Sequence, residues 1–296
     1  MHSMPVNLLD LSPEEFKEFL DSFDHVFSDC DGVIWAANAL PRVGEFFDLI
    51  KKHGKTVHFV SNNSIRSQQN YEDKFKEAKI ENGFQFLTTP SFAIAGYLKG
   101  LNFKKKVYAM ACDETVKVLN SHGIETKTGP LLGVDVFDDY VQYLKDDPEI
   151  GAVVCDCDFN ANLAKVHKAV TYLKRPEVLF LCGATDRHIH FGQGRSALGC
   201  SIFTNIVSDE TNRSPIVLSK PGKLFGEFAM KRAGVTDPSK VLFIGDMIEQ
   251  DVGLGKNTGF KTLLLLTNVP KETMLAHKTT RPDFYADSLA SLVPLL

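Results

Sequence analysis

The chain has 296 residues, 44% of them hydrophobic and 24% charged, which excludes disorder, collagen and a coiled coil. At roughly 150 residues per domain, one large or two medium globular domains are expected. A net charge of -4 gives no basic surface for a phosphate backbone, so nucleic acid is not expected as a partner.

No apolar run approaches the ~18 residues of a membrane span, and the purest is only Leu263 to Leu266. The N-terminus lacks a basic segment followed by an apolar one, and Cys30, Cys112, Cys155, Cys157, Cys182 and Cys200 show neither C-x-x-C nor zinc spacing. A cytoplasmic protein with reduced thiols and no membrane partner is expected.

Strand-like runs alternate with helix-period stretches, the pattern of an α/β protein with a parallel sheet. A first helix is capped by Ser12, with Pro13 at its first position and Glu15 completing a capping box. The run Val26-Phe27-Ser28 then reads as a buried strand ending in Asp29. From Val43, the residues Phe46, Phe47 and Ile50 share a helical face, and Gly54 is placed to end that helix. A strand over Val57 to Val60 ends in Ser61-Asn62-Asn63-Ser64.

Residues 103 to 209 carry a second set of alternations, with strands near Val107, Val153 and Leu179. Leu163, Val166, Val170 and Leu173 are spaced for a helix between them. This block is expected to be an inserted α/β domain, leaving 1–102 and 210–296 as the core. Two later strands are expected over Ile216 to Leu218, ending at Lys220, and Val241 to Ile244, ending at Gly245-Asp246. Pro221 is expected to start a helix with Leu224, Phe225 and Phe228 on its buried side.

Four strand runs thus end in polar groups of different kinds: Asp29 with Asp31, Ser61, Lys220, and Asp246 with Asp251. Ligands of open parallel sheets bind at the carboxyl ends of strands. These groups together make a phosphoryl-transfer set. A phosphate dianion beside the aspartates is repelled by about 4 kcal/mol per close pair at an effective dielectric near 20, so Lys220 and a divalent cation are needed. Hard oxygen ligands with room for water favour magnesium. Asp29 can attack phosphorus, and Asp31, across a turn closed by Gly32, can protonate the leaving group and then activate water. Ser61 and the amides after it can hold the equatorial oxygens.

Singly, each of these residues is a commonplace turn, loop or cap; only the ordered combination is specific. A second D-x-D, Asp156-Cys157-Asp158, lacks the following glycine and the later partners, and is expected to be structural.

The strings DCDGVIW at 29 to 35, FVSNNS at 59 to 64, SKPGKLF at 219 to 225 and GDMIEQD at 245 to 251 resemble the haloacid dehalogenase superfamily. The likeness is to its capped phosphatases, which include 4-nitrophenylphosphatase, phosphoglycolate phosphatase and pyridoxal phosphatase. The resemblance implies a Rossmann-like doubly wound core with an inserted α/β cap over the site. It implies Asp29 as nucleophile, Asp31 as acid and base, and magnesium on Asp29, the carbonyl of Asp31 and Asp246, with Asp251 in support. It places Gly32, Ser61, Asn62, Asn63 and Lys220 at the phosphoryl group and suggests a homodimer formed through the cap.

Departures are Glu249-Gln250 in place of Asp-Thr, Gln68 in place of arginine and Arg42 in place of glycine. The cap strings Cys157-Asp158-Phe159-Asn160 and Thr185-Asp186-Arg187-His188 echo the family only loosely. Because a cap selects substrate, chemistry carries over and substrate does not.

Asp186, His188 and His190 alternate as metal ligands could, but a loop touching substrate or solvent is the expectation. Cys30 and Trp35 are expected to serve packing, Trp35 also at the hinge of the cap. The expected activity is magnesium-dependent hydrolysis of small phosphate monoesters through an aspartyl-phosphate. The rivals are a phosphoaspartate signalling domain, which the large insert and the late Gly-Asp disfavour, and a silent relative that binds partners through its cap.

Overall fold

The computed structural model describes residues 4–131, 137–190 and 196–296; of Phe137, Asp139, Ile189 and His190 only the backbone is described. The chain divides into two compact units. The first comprises Met1–Ser61, Ser67–Thr88 and Lys220–Leu296, the second Asn62–Arg66 and Thr89–Ser219.

The first unit begins with β1 (Val6–Asn7), α1 (Pro13–Asp21), β2 (His25–Ser28), α2 (Val43–Lys52), β3 (Thr56–Val60), α3 (Gln68–Glu77) and β4 (Leu87–Thr88). The expected capping box of α1 forms in full, Ser12 accepting from the Glu15 amide and Glu15 from the Ser12 amide. Its apolar positions Phe16, Phe19 and Leu20 are buried. In α2, Phe46, Phe47 and Ile50 face the core as expected, and Gly54 follows its end at φ +78.

Arg42, the residue before α2, lies in the left-handed region at φ +57. That conformation suits glycine, which accounts for the family preference there. Here a forked ion pair from Arg42 to Glu45, 2.8 and 2.9 Å, accompanies the strained backbone.

The second unit runs α4 (Pro90–Gly100), β5 (Lys106–Met110), α5 (Asp113–Ser121), β6 (Thr126–Lys127), α6 (Phe137–Val141), β7 (Ile150–Cys155), α7 (Leu163–Leu173), β8 (Leu179–Cys182), β9 (His188–His190), β10 (Ser196–Leu198), α8 (Ser201–Thr211) and β11 (Ile216–Val217). Among the described residues its main sheet is parallel in the order β11-β8-β7-β5-β6, and β9 and β10 form an antiparallel pair. Every residue of β7 is buried, as a central strand covered on both faces requires. On α7, Val166 and Leu173 are buried while Leu163, at the first turn, is exposed.

The expected insert, 103–209, falls inside this unit, which extends further at both ends. Thr89 to Gly100 joins it because α4 packs on α5. The run Ile216 to Leu218, expected to be a strand of the core, instead pairs as β11 with β8 of the second sheet. Two apolar residues with β-branching fit either sheet, so the sequence alone did not distinguish them.

Returning to the first unit, the chain forms α9 (Lys223–Ala233), β12 (Val241–Gly245), α10 (Gly253–Thr258), β13 (Lys261–Leu265), α11 (Lys271–Ala276), β14 (Phe284–Ala286) and α12 (Leu289–Leu292). Pro221 does not begin α9; Gly222 caps it, Phe225 is buried, Phe228 is half-buried and Leu224 is exposed. Among the described residues the sheet order is β1-β14-β13-β12-β2-β3-β4, all parallel.

Alternation along the strands feeds both faces. Val26, Phe59, Leu242, Leu263 and Leu265 join the core under α1 and α2, while Leu264 packs with Ile248, Val252 and Met274 on the other side. The central β2 has β3 on one flank and β12 on the other. The order of connection therefore reverses at its carboxyl end, where open α/β sheets bind their ligands.

Candidate active site

Asp29 follows β2 directly and is fixed by its backbone: its N–H donates to the Ile244 carbonyl of β12 at 2.8 Å. Asp246 follows β12. A single π-helical turn, Ile248–Val252, then brings Asp251 back to the same strand end. There Asp251 Oδ2 accepts from the amides of Asp246, 3.0 Å, and Met247, 2.9 Å. A Cβ at Gly245 would overlap the Asp251 carboxylate, so this return requires glycine at that position. Gly32, at φ +83, is required twice over, since a Cβ there would overlap Asp246.

Lys220 arrives two residues beyond Leu218 with its side chain buried, and its ammonium bridges Asp29 Oδ1 at 2.8 Å and Asp251 Oδ1 at 2.7 Å. One carboxylate oxygen each from Asp29, Asp246 and Asp251 lie within 4.8 Å of one another.

Three buried carboxylates against one ammonium leave excess negative charge, and the titration of the site reflects it. Burial raises the Asp29 carboxyl well above its usual range, opposed by Lys220 and reinforced by Asp251 and Asp246. Asp246 is pushed up to about 7, first by burial and then by Asp251, with Lys220 and Asn268 acting against the shift. Burial also disfavours a charged Lys220, but Asp251 and Asp29 together outweigh it and raise its pKa.

Asp246 Oδ1 is buried with no hydrogen-bond partner among the described residues. A buried anionic oxygen without a donor, in a cluster of hard oxygens, fits a divalent cation. The donor set is therefore suited to the magnesium expected from the sequence.

Asp31 is half-buried, and its Oδ1 accepts from the indole of Trp35 at 3.1 Å. Ser61 caps β3, its amide bonded to the Thr88 carbonyl at 3.0 Å and its Oγ accepting from the Tyr71 hydroxyl at 3.3 Å. The structure thus brings together Asp29, Lys220, Asp246 and Asp251, and places Asp31 in the turn after β2 and Ser61 at the end of the adjoining β3. Asn62 and Asn63 belong to the second unit. There Asn63 Oδ1 is engaged locally by the amides of Ile65, 3.1 Å, and Arg66, 3.2 Å.

Sequence reasoning missed three partners. Asn268 donates to Asp246 Oδ2, and it lies just beyond β13. Extending the strand-end reading to the Leu263 to Leu266 run would have found it. Trp35 and Tyr71 left no such signal, because buried aromatics read as core.

The second D-x-D is structural in its contacts. Buried Asp156 accepts from Ser64 Oγ, 2.6 Å, Thr115 Oγ1, 3.1 Å, and the Ala184 amide, 3.0 Å, while Asp158 pairs with buried Lys165 at 2.6 Å. Of the alternating trio, Asp186 is half-buried and His188 exposed; the side chain of His190 lies outside the described residues.

Residues 26–125 match the family model of haloacid dehalogenase-like hydrolases, and residues 217–292 match a second, HAD-hydrolase-like model. Phosphoglycolate phosphatase 2 of Arabidopsis thaliana is 33% identical over 294 residues, covering 97% of each chain. The 4-nitrophenylphosphatase of Schizosaccharomyces pombe is 32% identical over 296 residues, covering 95% of this chain and 97% of its own. In fold, a p-nitrophenyl phosphatase from Archaeoglobus fulgidus superposes with a TM-score of 0.78 at 24% identity, over 93% of this chain and all of that one.

The chain belongs to the haloacid dehalogenase-like hydrolase family. It is an enzyme of that family, and the two relatives aligned above over nearly its whole length are named phosphatases.

Proposed function

We propose that this enzyme hydrolyses phosphate monoesters of small metabolites in a magnesium-dependent reaction through an aspartyl-phosphate on Asp29. The observation that carries the reading is the buried Lys220 bridging Asp29 and Asp251, beside an Asp246 oxygen that no donor among the described residues satisfies. Relatives named phosphoglycolate, 4-nitrophenyl and glycerol-3-phosphate phosphatases, aligned over nearly the whole chain, support it.

In this reading an Asp29 carboxylate oxygen bonds to phosphorus as the ester P–O bond breaks, and Asp31 gives its proton to the departing oxygen. Asp31, now a carboxylate, takes a proton from water as that water attacks phosphorus and the bond to Asp29 breaks, releasing inorganic phosphate. Lys220, Ser61 and the amides of the following loop, with Gly32, Asn62 and Asn63, hold the phosphoryl oxygens. Asp29, the Asp31 carbonyl and Asp246 would hold magnesium, with Asp251 behind them, and the cation would supply the positive charge that lets a dianion approach.

The second unit acts as the cap that selects the substrate. The reading extends to a cytoplasmic homodimer formed through that unit, where Phe159, Leu163 and Leu198 are exposed. No helix among the described residues is long and apolar enough to cross a membrane.

A panel of phosphorylated metabolites, with and without EDTA, tests the reading. Hydrolysis that stops on chelation, returns with magnesium and is abolished in Asp29→Asn supports it. Turnover retained in either condition overturns it.

A further inference from the structure

We propose that Trp35 is a positioning residue for the acid: its indole N–H holds Asp31 Oδ1 and so directs the transferable proton to Oδ2. The inference rests on the proposed reaction and concerns a residue that the family motif alone reads as packing.

Trp35 is fully buried and is the one tryptophan of the chain. The indole is a donor with no acceptor capacity, and it reaches Asp31 Oδ1 at 3.1 Å. The turn that joins the two residues is held by backbone bonds. Ile34 and Trp35 donate to the Cys30 carbonyl at 2.8 and 3.2 Å, and Gly32 donates to the Trp35 carbonyl at 2.7 Å. The ring itself is clamped: Phe75 meets it edge-on with centroids 5.0 Å apart, Tyr71 lies at 6.3 Å, and the Lys74 ammonium stands 5.6 Å from its centroid. Such a ring has one orientation in which to present its N–H.

A carboxylic acid is useful in catalysis only when its proton is on the oxygen facing the leaving group. An N–H aimed at Oδ1 excludes a proton there and fixes the plane of the carboxyl. As the Asp29–phosphorus bond forms, the ester P–O electron pair goes to the departing oxygen, which takes the proton from Oδ2. Without the indole the carboxyl loses the donor that marks Oδ1 as the unprotonated oxygen. The loss should then scale with how much the leaving group needs that proton.

The test compares Trp35→Phe with the parent enzyme on 4-nitrophenyl phosphate, whose phenolate departs readily, and on glycerol phosphate, whose alkoxide does not. General acid catalysis is worth about 10²–10⁴, so a disordered acid should lower kcat/KM for the alkyl ester about tenfold more than for the aryl ester. The ratio of the two is independent of how much of the sample is folded, so it stays readable in a destabilised variant. Equal losses on both esters overturn the proposal. In an Asp31→Asn background, Trp35→Phe should leave the ratio unchanged; a further fall shows that Trp35 does not act through Asp31 and overturns it.

Independently of turnover, tryptophan labelled with ¹⁵N gives one indole N–H resonance. It should shift in Asp31→Ala, and an unmoved resonance overturns the contact. A parent enzyme inactive on both esters, or an active Asp29→Asn, defeats the proposed reaction instead, so the two failures are separable.

Discussion

Lys220 Nζ lies 2.8 Å from Asp29 Oδ1 with both side chains buried, while Asp251 holds the same ammonium from behind at 2.7 Å. In the proposed reaction the lysine would therefore have two uses in one position: it pairs with the Asp29 carboxylate in the resting protein and would face the phosphoryl oxygens when substrate arrives. Asp251 anchors it, its second oxygen being occupied by two backbone amides.

Lys220→Met removes the ammonium that bridges Asp29 and Asp251. Loss of a preorganised donor predicts a fall in kcat of about 10²–10³. Leaving buried carboxylates without their partner predicts destabilisation of about 3–5 kcal/mol. Steady-state kinetics and thermal denaturation of the variant check both. A near-parental kcat would remove Lys220 from the reaction.

The metal-free protein should lose stability as pH rises from about 4 to about 7. Burial raises the folded pKa of Asp29 and pushes that of Asp246 up to about 7, well above the ordinary carboxylate range, so the unfolded chain releases these protons at lower pH than the folded one. Between those limits the folded state binds more protons, and unfolding is favoured as pH increases. If magnesium is held by the ionised carboxylates, as proposed, it should reverse the trend. Melting curves across this range, with EDTA and with magnesium, should diverge most at the upper end. Parallel curves would contradict a cation at these aspartates.

Asn268→Ala deletes the donor to Asp246 Oδ2. Groups behind a metal ligand tune affinity by about 10–100-fold, so half-saturation should need at least tenfold more magnesium, with kcat restored at saturation. Magnesium titration of activity measures this directly. An unchanged midpoint would show that the side chain does not orient Asp246.

Arg42→Gly should be at least as stable as the parent. It relieves a left-handed backbone worth about 1–2 kcal/mol and gives up only a solvent-screened surface ion pair. Arg42→Ala keeps the strain, loses the pair and should be less stable than either. Chemical denaturation of the three proteins gives the order.

What could be read from sequence follows from the range of the interactions. The Ser12 capping box, the buried face of α2 and the runs ending at Asp29, Ser61 and Asp246 are local patterns, and they folded as read. The placement of Ile216 and Val217 was not local. A short apolar strand pairs wherever an edge is free, and here the edge belonged to β8. For the same reason Lys220 reaches the carboxylates from a loop that leaves the second sheet.

Trp35 and Tyr71 were hidden differently. Their polar tips act at the site while their rings fill the core, so burial and function share one side chain. Leu224 was misplaced by a helical offset, because α9 starts at Lys223 and not at Pro221.

Covalent chemistry at Asp29 is tested most directly by quenching the enzyme during turnover, reducing any acyl phosphate with borohydride and sequencing the peptide that contains residue 29. The account predicts homoserine at that position in the presence of substrate and magnesium, and unmodified aspartate without substrate. An enzyme that turns over while residue 29 remains aspartate, or that carries the reduced residue elsewhere, would contradict it.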